Sequence, residues 1–275
     1  MKTIAICNLK GGVAKTTTVV NLAAILALDL HRNVLVIDAD SQGNATSFLG
    51  GDREQPGMAA LLRREPALVQ ETNVEGVRLI AASAELMDLD LTKAGEGTVD
   101  VQCLREVRAF LEESASRGPH PASWRPPSPC EGKALDYCLI DCPPAFNAAS
   151  SAALIAADAV LIPGKLDAFA LEGMANLLQQ IQNMRRINPQ LKLLGVLPVM
   201  WYKSERIQAA ERALREAGLQ ILPRIRRSDK VDEMTYRQAP LISCSPKSGP
   251  CKDYRVLARW LDMGQGREEA ERDGE

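Results

Sequence analysis

Short apolar runs alternate along this chain with longer segments of helical period. Ile4–Cys7, Val34–Ile37, Val77–Ala81, Tyr137–Ile140, Ala159–Ile162 and Leu193–Leu197 have the length and composition of buried strands. Between them, Lys15–Leu30, Val99–Glu113, Ala148–Ala156, Leu171–Ile187 and Glu205–Ala217 read as helices. The alternation predicts an α/β fold with a mostly parallel central sheet flanked by helices, three layers in all. In such sheets ligands bind beyond the carboxyl ends of the strands, and the chain's chemical motifs fall at those ends.

One segment breaks the pattern. Gly118–Pro129 carries Pro119, Pro121, Pro126, Pro127 and Pro129. It cannot be regular helix or central strand. It reads as an exposed inserted loop, about residues 117–133, either a tolerated insertion or a segment that docks a partner. The acidic tail 264–275 reads as disordered, and residues 1–263 read as a single domain.

Composition narrows the picture. The chain has 275 residues, of which 46% are apolar and only 4% aromatic, so Leu, Ile, Val and Ala must build the core. A net charge of -2 means that any nucleic-acid site must be a local basic patch. The 7 cysteines are odd in number and irregularly spaced, which fits reduced thiols better than a disulfide framework. No apolar run approaches the ~20 residues of a membrane span. Met1–Ile6 reads as a first strand, not a signal peptide, so a cytoplasmic location without membrane attachment is expected.

The first predicted strand runs into Lys10-Gly11-Gly12-Val13-Ala14-Lys15-Thr16-Thr17, which opens a helix. Gly11 and Gly12 let backbone approach phosphate oxygens, and the N–H groups at the helix start face the anion. Lys15 is placed to reach the β- and γ-phosphates, and Thr16 to put its hydroxyl on Mg²⁺. The fold class expected is therefore a three-layer P-loop NTPase. Two acidic strand ends follow. Val34–Ile37 leads to Asp38-Ala39-Asp40, where alternation points both acids to one side. On their own these acids could also be caps or turn residues. Leu139-Ile140-Asp141-Cys142-Pro143-Pro144 has the form of a Walker B strand, with Asp141 as the magnesium ligand.

With Thr18 and Asn21-Leu22-Ala23 added, the loop resembles the deviant Walker A motif of the ParA/MinD superfamily. That resemblance implies an ATPase using ATP and Mg²⁺, and it gives Lys10 a part to play. The family's signature lysine reaches across a nucleotide-sandwich dimer to the partner's phosphates, supplying a cation in trans. Asp38 to Thr46 resembles the family's switch segment, usually Asp-x-Asp-Pro-Gln-Gly-Asn. By that match Asp40 orients the attacking water and Asp38 supports the magnesium shell. Ala145–Ser150 would be the second switch. Ala168–Gly173 resembles the family's turn into a helix.

The chain departs from the family pattern in three places. Ala14 stands where Gly is usual, at a cost of roughly 1 kcal/mol if φ is positive. Ser41 replaces a Pro, which implies a less rigid loop. In the loop that reads adenine, Pro223 and Arg224 match, but Ile225 replaces Asn.

From Trp201 to Lys230 the chain is locally basic, and ParA relatives bind DNA non-specifically through this third of the chain when dimerised on ATP. Arg206, Arg226 and Arg227 are the candidate contacts, while a solvated helix face with pairs such as Glu211–Arg215 is the plainer alternative. The resemblance thus implies a homodimer on ATP, DNA as a non-specific partner, and a ParB-like protein that stimulates hydrolysis during plasmid, chromosome or integrative-element segregation. A MinD-like positioning ATPase needs a basic amphipathic tail, which this acidic one is not. An iron–sulfur carrier of the superfamily needs Cys-x-x-Cys. Neither Cys138/Cys142 nor Cys244/Cys251 has that spacing. An ATP-dependent DNA-binding switch with negligible turnover is the non-enzymatic reading.

Overall fold

The computed structural model describes residues 1–91, 99–114, 134–167 and 170–263. The Pro-rich insertion, the acidic tail and the Ala168-Phe169 turn expected from the sequence lie outside them.

In chain order the elements are β1 (Lys2–Ile6), α1 (Lys15–Leu28), β2 (Val34–Asp38), α2 (Asn44–Phe48), α3 (Met58–Leu62), β3 (Gln70–Glu71), β4 (Val77–Ile80), α4 (Glu85–Leu91) and α5 (Cys103–Ser114). There follow β5 (Tyr137–Asp141), α6 (Ala148–Ala156), β6 (Ala159–Gly164), α7 (Ala170–Met184), β7 (Lys192–Pro198), α8 (Glu205–Glu216), α9 (Asp229–Arg237), α10 (Leu241–Cys244) and α11 (Gly249–Met263). The strands form one sheet in the order β3-β4-β2-β5-β1-β6-β7. All pairings are parallel except β3 with β4.

The period of two along each strand divides the interior into two apolar layers. Ile4, Val34, Val36 and Leu139 face α1, α2 and the C-terminal helices α9, α10 and α11. Ala5, Leu35, Ile37 and Ile140 face α3 to α8. A strand buried on both faces has no polar side to show, hence the continuous apolar runs in the sequence. Helix α1 is apolar nearly all round because it is sandwiched between the sheet and α11. There the buried Tyr254 hydroxyl meets Thr18 Oγ1 at 3.2 Å.

All six predicted strands form, with ends shifted by one or two residues. The helix expected from Val99 starts only at Cys103, because Asp100 turns the chain first, accepting the Gln102 N–H at 2.9 Å. The helix expected to run to Leu30 stops at Leu28, and the one expected to reach Ile187 stops at Met184. The antiparallel strand β3 and helices α2, α3, α4, α9, α10 and α11 had no place in the sequence reading. Several are too short to display a period. The longest, α11, starts at Gly249-Pro250, where punctuation hides a helix whose first turn tolerates Pro.

Candidate functional site

Three neighbouring strands end together at the centre of the sheet. The register pairs Ile6 with Asp141 and Asp141 with Asp38, so the chain leaving β1 passes beside both acids. That adjacency is a consequence of strand order, and it gathers motifs separated by more than a hundred residues.

Beyond β1 the loop is fixed by Asn8. Its amide donates to Pro163 O at 2.7 Å, and its Oδ1 accepts the Lys10 N–H at 2.9 Å. Gly12 is left-handed, with φ 69°. A Cβ added at Gly11 or Gly12 would meet nothing within 4 Å, so both face open space. Ala14 caps α1 at φ 61°, ψ 32°, in the left-handed region where an alanine is strained. The buried Lys15 lays its ammonium over the loop, donating to Lys10 O at 3.3 Å. Lys10 points elsewhere: its ammonium pairs with Asp167 at 2.7 Å, beyond the end of β6.

The Thr16 hydroxyl donates to Asp141 Oδ2 at 2.6 Å. The other oxygen, Oδ1, is buried with no hydrogen-bond partner. A carboxylate oxygen in that position costs free energy unless something else satisfies it. A hard cation would do so, and the oxygen-rich set of Thr16, Asp141 and Asp38 suits Mg²⁺. Burial and the facing Asp38 push Asp141 well above the usual carboxylate range. Asp38 is pushed up to about 6, chiefly by burial, against three hydrogen bonds that favour its charged form. These come from Thr46 N at 2.7 Å, Thr46 Oγ1 at 2.8 Å and Asp40 N at 3.2 Å. Two buried acids in register repel, and a divalent cation removes that conflict.

Strand β2 ends at Asp38, so the direction of Asp40 is set by a turn and not by strand alternation. Asp40 O accepts Gly43 N–H at 2.8 Å, and its carboxylate accepts Gln42 N–H at 3.0 Å. Across the site, Asn147 caps α6 by accepting the Ser150 N–H at 2.9 Å, and Phe146 before it is exposed.

A cavity of about 450 Å³ adjoins the loop, walled by Gly12, Thr17, Met200, Ile225, Arg227 and Tyr254. Of the adenine-loop candidates, neither Pro223 nor Arg224 lines it. Arg224 lies over the Trp201 ring, 3.9 Å from its centroid. The residue that departs from the family pattern, Ile225, is the one in the wall. A second cavity, about 360 Å³, lies at the opposite end of the strands, before β6 and β7, where Arg108 and Asp158 satisfy each other at 2.7 Å.

The three DNA candidates do not form one group. Arg206 is on α8, which packs into the layer opposite α9. Arg226 is tied to Asp253 through its guanidinium, at 2.8 and 2.7 Å, and through its backbone N–H at 2.9 Å. Arg227 is exposed at the cavity rim.

Sequence reasoning gave no part to Thr46, Arg53 or Asp167, and quoted Asn21 only as part of the motif. Asn21 donates to Thr17 O at 2.7 Å and accepts the Leu241 N–H at 2.8 Å, locking α1 to α10. Thr46 and Asn21 stand inside the motif stretches, so the signal was there. Arg53 and Asp167 carry none. The thiols beside the site, Cys7 and Cys142, are buried and in mutual contact. Burial pushes Cys138 up to about 12, a poor nucleophile. Among the described residues no group of three His, Cys, Asp or Glu could hold a metal ion as a cluster ligand set, and no helix is long and apolar enough to cross a membrane.

Residues 4–241 match the model of the CobQ/CobB/MinD/ParA nucleotide binding domain, and the chain belongs to that family. The chromosome-partitioning ATPase Soj of Thermus thermophilus is 37% identical over 202 residues, covering 73% of this chain and 70% of the relative. The chromosome partitioning protein ParA of Caulobacter vibrioides is 32% identical over 268 residues, covering 94% and 93%. Among solved structures, cobyrinic acid a,c-diamide synthase of Mycobacterium smegmatis with bound ATP analog and magnesium superimposes with a TM-score of 0.74 at 27% identity, covering 97% of this chain and 96% of that one. The α/β P-loop fold expected from the sequence is the fold observed, and ParA/Soj partition ATPases are among its relatives.

Proposed function

We propose that this chain is a ParA-type ATPase that hydrolyses Mg-ATP to ADP and phosphate and couples that cycle to DNA partition. The observation that carries the reading is the cradle at the end of β1. Lys15, Thr16, Asp38 and Asp141 converge there, with one Asp141 oxygen buried and unpaired.

The backbone of Gly11 to Thr17 binds the phosphates, and Lys15 holds the terminal ones. Thr16 and Asp141 hold Mg²⁺, with Asp38 behind them. The ion, when bound, supplies positive charge against the phosphates. Asp40 accepts a hydrogen bond from the attacking water and orients it. The cavity beside Gly12 takes adenine, read by backbone groups of the Ile225–Ser228 stretch in place of the missing Asn. Lys10 leaves Asp167 and serves the partner subunit's nucleotide, so dimerisation depends on ATP. Arg227 supplies a non-specific phosphate contact to DNA, and a ParB-like protein stimulates turnover. The protein works in the cytoplasm, on the nucleoid when ATP-bound. The full-length similarity to ParA, at 94% of this chain, supports partition over the family's other activities.

Phosphate release and ATP binding by the Asp40→Ala variant test this reading. Retained ATP binding with lost hydrolysis is expected, and undiminished turnover would remove Asp40 from its place. Sedimentation of Lys10→Gln with ATP tests the dimer. An unaltered dimer overturns the trans-lysine reading.

A further inference from the structure

Asp40 sits at the first position of a tight turn, Asp40-Ser41-Gln42-Gly43, closed by the Gly43 N–H on Asp40 O at 2.8 Å. The second position of such a turn favours Pro, whose ring presets φ. Ser41 does not, so the turn needs another restraint.

It has one. Arg53, on the loop between α2 and α3, donates from Nη2 to Ser41 O at 2.7 Å. Its guanidinium also fills the space that a side chain at Gly43 would take. A Cβ built on Gly43 would stand 2.5 Å from Arg53 Nε and 2.6 Å from Cζ. Gly43 is left-handed at φ 65°, so glycine serves the turn and makes room for the arginine at once. The loop that carries Arg53 is itself anchored. Asp52 N–H donates to Gln70 Oε1 at 2.7 Å, and Gln70 Nε2 returns a bond to Asp52 O at 2.8 Å. Gly51 packs against Leu79 so closely that an added Cβ would collide with it at 2.3 Å. A half-buried arginine thus reaches from a braced loop to the middle carbonyl of the turn.

We propose that Arg53 is a positioning residue that clamps the Asp40–Gly43 turn and holds Asp40 in its working orientation. It does the work a proline at position 41 would do. The proposal rests on the reading of Asp40 as the water-orienting group. Arg53 touches neither phosphate nor water in it. The clamp acts through backbone, so its loss lowers kcat and leaves ATP affinity alone.

The test compares wild type, Arg53→Ala, Arg53→Ala with Ser41→Pro, and Asp40→Ala, all verified as folded by circular dichroism. Two readouts are taken: steady-state ATP hydrolysis, and hydrogen exchange of the Gln42 and Gly43 amides. Arg53→Ala is expected to lower kcat about tenfold, the value of one charge-assisted hydrogen bond, with KM within about twofold. The two amides exchange faster. Adding Ser41→Pro restores slow exchange and most of kcat. Unchanged exchange in Arg53→Ala overturns the clamp. Faster exchange with normal kcat, while Asp40→Ala is inactive, overturns positioning. So does restored exchange without restored kcat in the double variant. If Asp40→Ala itself turns over normally, the reading of Asp40 fails, and the clamp is judged on exchange alone.

Discussion

Asp141 accepts the Thr16 hydroxyl at 2.6 Å through one carboxylate oxygen and buries the other without a partner. A buried carboxylate oxygen without a partner costs free energy that a bound cation would offset. Replacing Asp141 by Asn removes the charge but keeps the size. It is expected to weaken Mg²⁺-dependent ADP binding by about 10- to 100-fold, the range seen when metal-site partners are lost. Binding measured in EDTA should change far less. Fluorescent-ADP titrations with and without Mg²⁺ read the difference, and equal losses in both would place the metal elsewhere.

Lys10 and Asp167 make a partly exposed ion pair at 2.7 Å within one chain. A lysine that must serve a partner's nucleotide has to leave that pair. Asp167→Asn therefore lowers the cost of departure, although solvent screening limits the gain to about 1 kcal/mol, or about fivefold in dimerisation constant. Lys10→Gln should weaken the ATP-dependent dimer instead. Sedimentation at several protein concentrations measures both. A dimer weakened by Asp167→Asn would contradict the opposition between the two contacts.

Much of this site was legible in the sequence because its parts are short motifs at strand ends. Gly11, Gly12, Lys15 and Thr16 announce a phosphate cradle by spacing alone. The register of Asp38 against Asp141 was not legible, since strand order is a long-range property and no local pattern encodes it. Partners reached by long side chains were equally hidden: Asp167 is 157 residues from Lys10, and Arg53 lies in a loop with no period. The helices that period-counting missed are four to nine residues long, apart from α11, which Gly-Pro punctuation masks. The basic stretch after Trp201 gave the right charges but not their engagements. Arg226 and Arg224 are adjacent but one in sequence, and the fold spends one on Asp253 and stacks the other on Trp201.

Those engagements separate Arg226 from Arg227. Removing Arg226 strips Asp253 of its bidentate partner, and because the arginine is exposed the loss of stability is about 1 kcal/mol. Arg227→Ala should leave the denaturation midpoint unchanged. It should lower DNA affinity uniformly across sequences and reduce the magnitude of the salt slope of log K by about 0.9. Binding to a random-sequence duplex with ATP, at several salt concentrations, checks this. An unaltered slope would move the DNA contact off the cavity rim.

Asp38 gives the site a pH dependence whose sign follows from its burial. Its folded value, about 6, lies above the ordinary carboxylate range, so the folded state holds the proton more tightly than the unfolded chain. In metal-free protein that contribution to stability is full below the ordinary range and is lost as pH rises through about 6. Metal binding requires the charged form and runs the other way. Affinity for Mg-ADP should fall about tenfold from pH 7 to pH 5, because only about a tenth of Asp38 is then ionised. Melting temperatures across pH 5 to 8, with and without Mg-ADP, should diverge toward high pH. Asp38→Asn should flatten the metal-free curve in that window. A metal-free protein whose stability rises through pH 6 by the same amount in wild type and variant would refute the assignment.

Ala14 holds φ 61° and ψ 32° at the cap of α1, a conformation that costs a non-glycine residue about 1–2 kcal/mol. Ala14→Gly relieves that strain but enlarges the conformational freedom of the unfolded chain, which opposes it by about 0.4–1 kcal/mol. The balance favours glycine by roughly 0.5–1 kcal/mol. In a chain of this size that is a rise of about 2 °C in melting temperature. Lys15 and Thr16 keep their places in either case, so ATP affinity should change by no more than about twofold. A scan of the two proteins side by side, with ATP titrations, measures both effects. A glycine variant that melts lower would mean the surrounding loop, not the residue, sets the conformation at position 14 without strain. One that melts higher and binds ATP as before would establish that the alanine is a tolerated cost in a working phosphate loop.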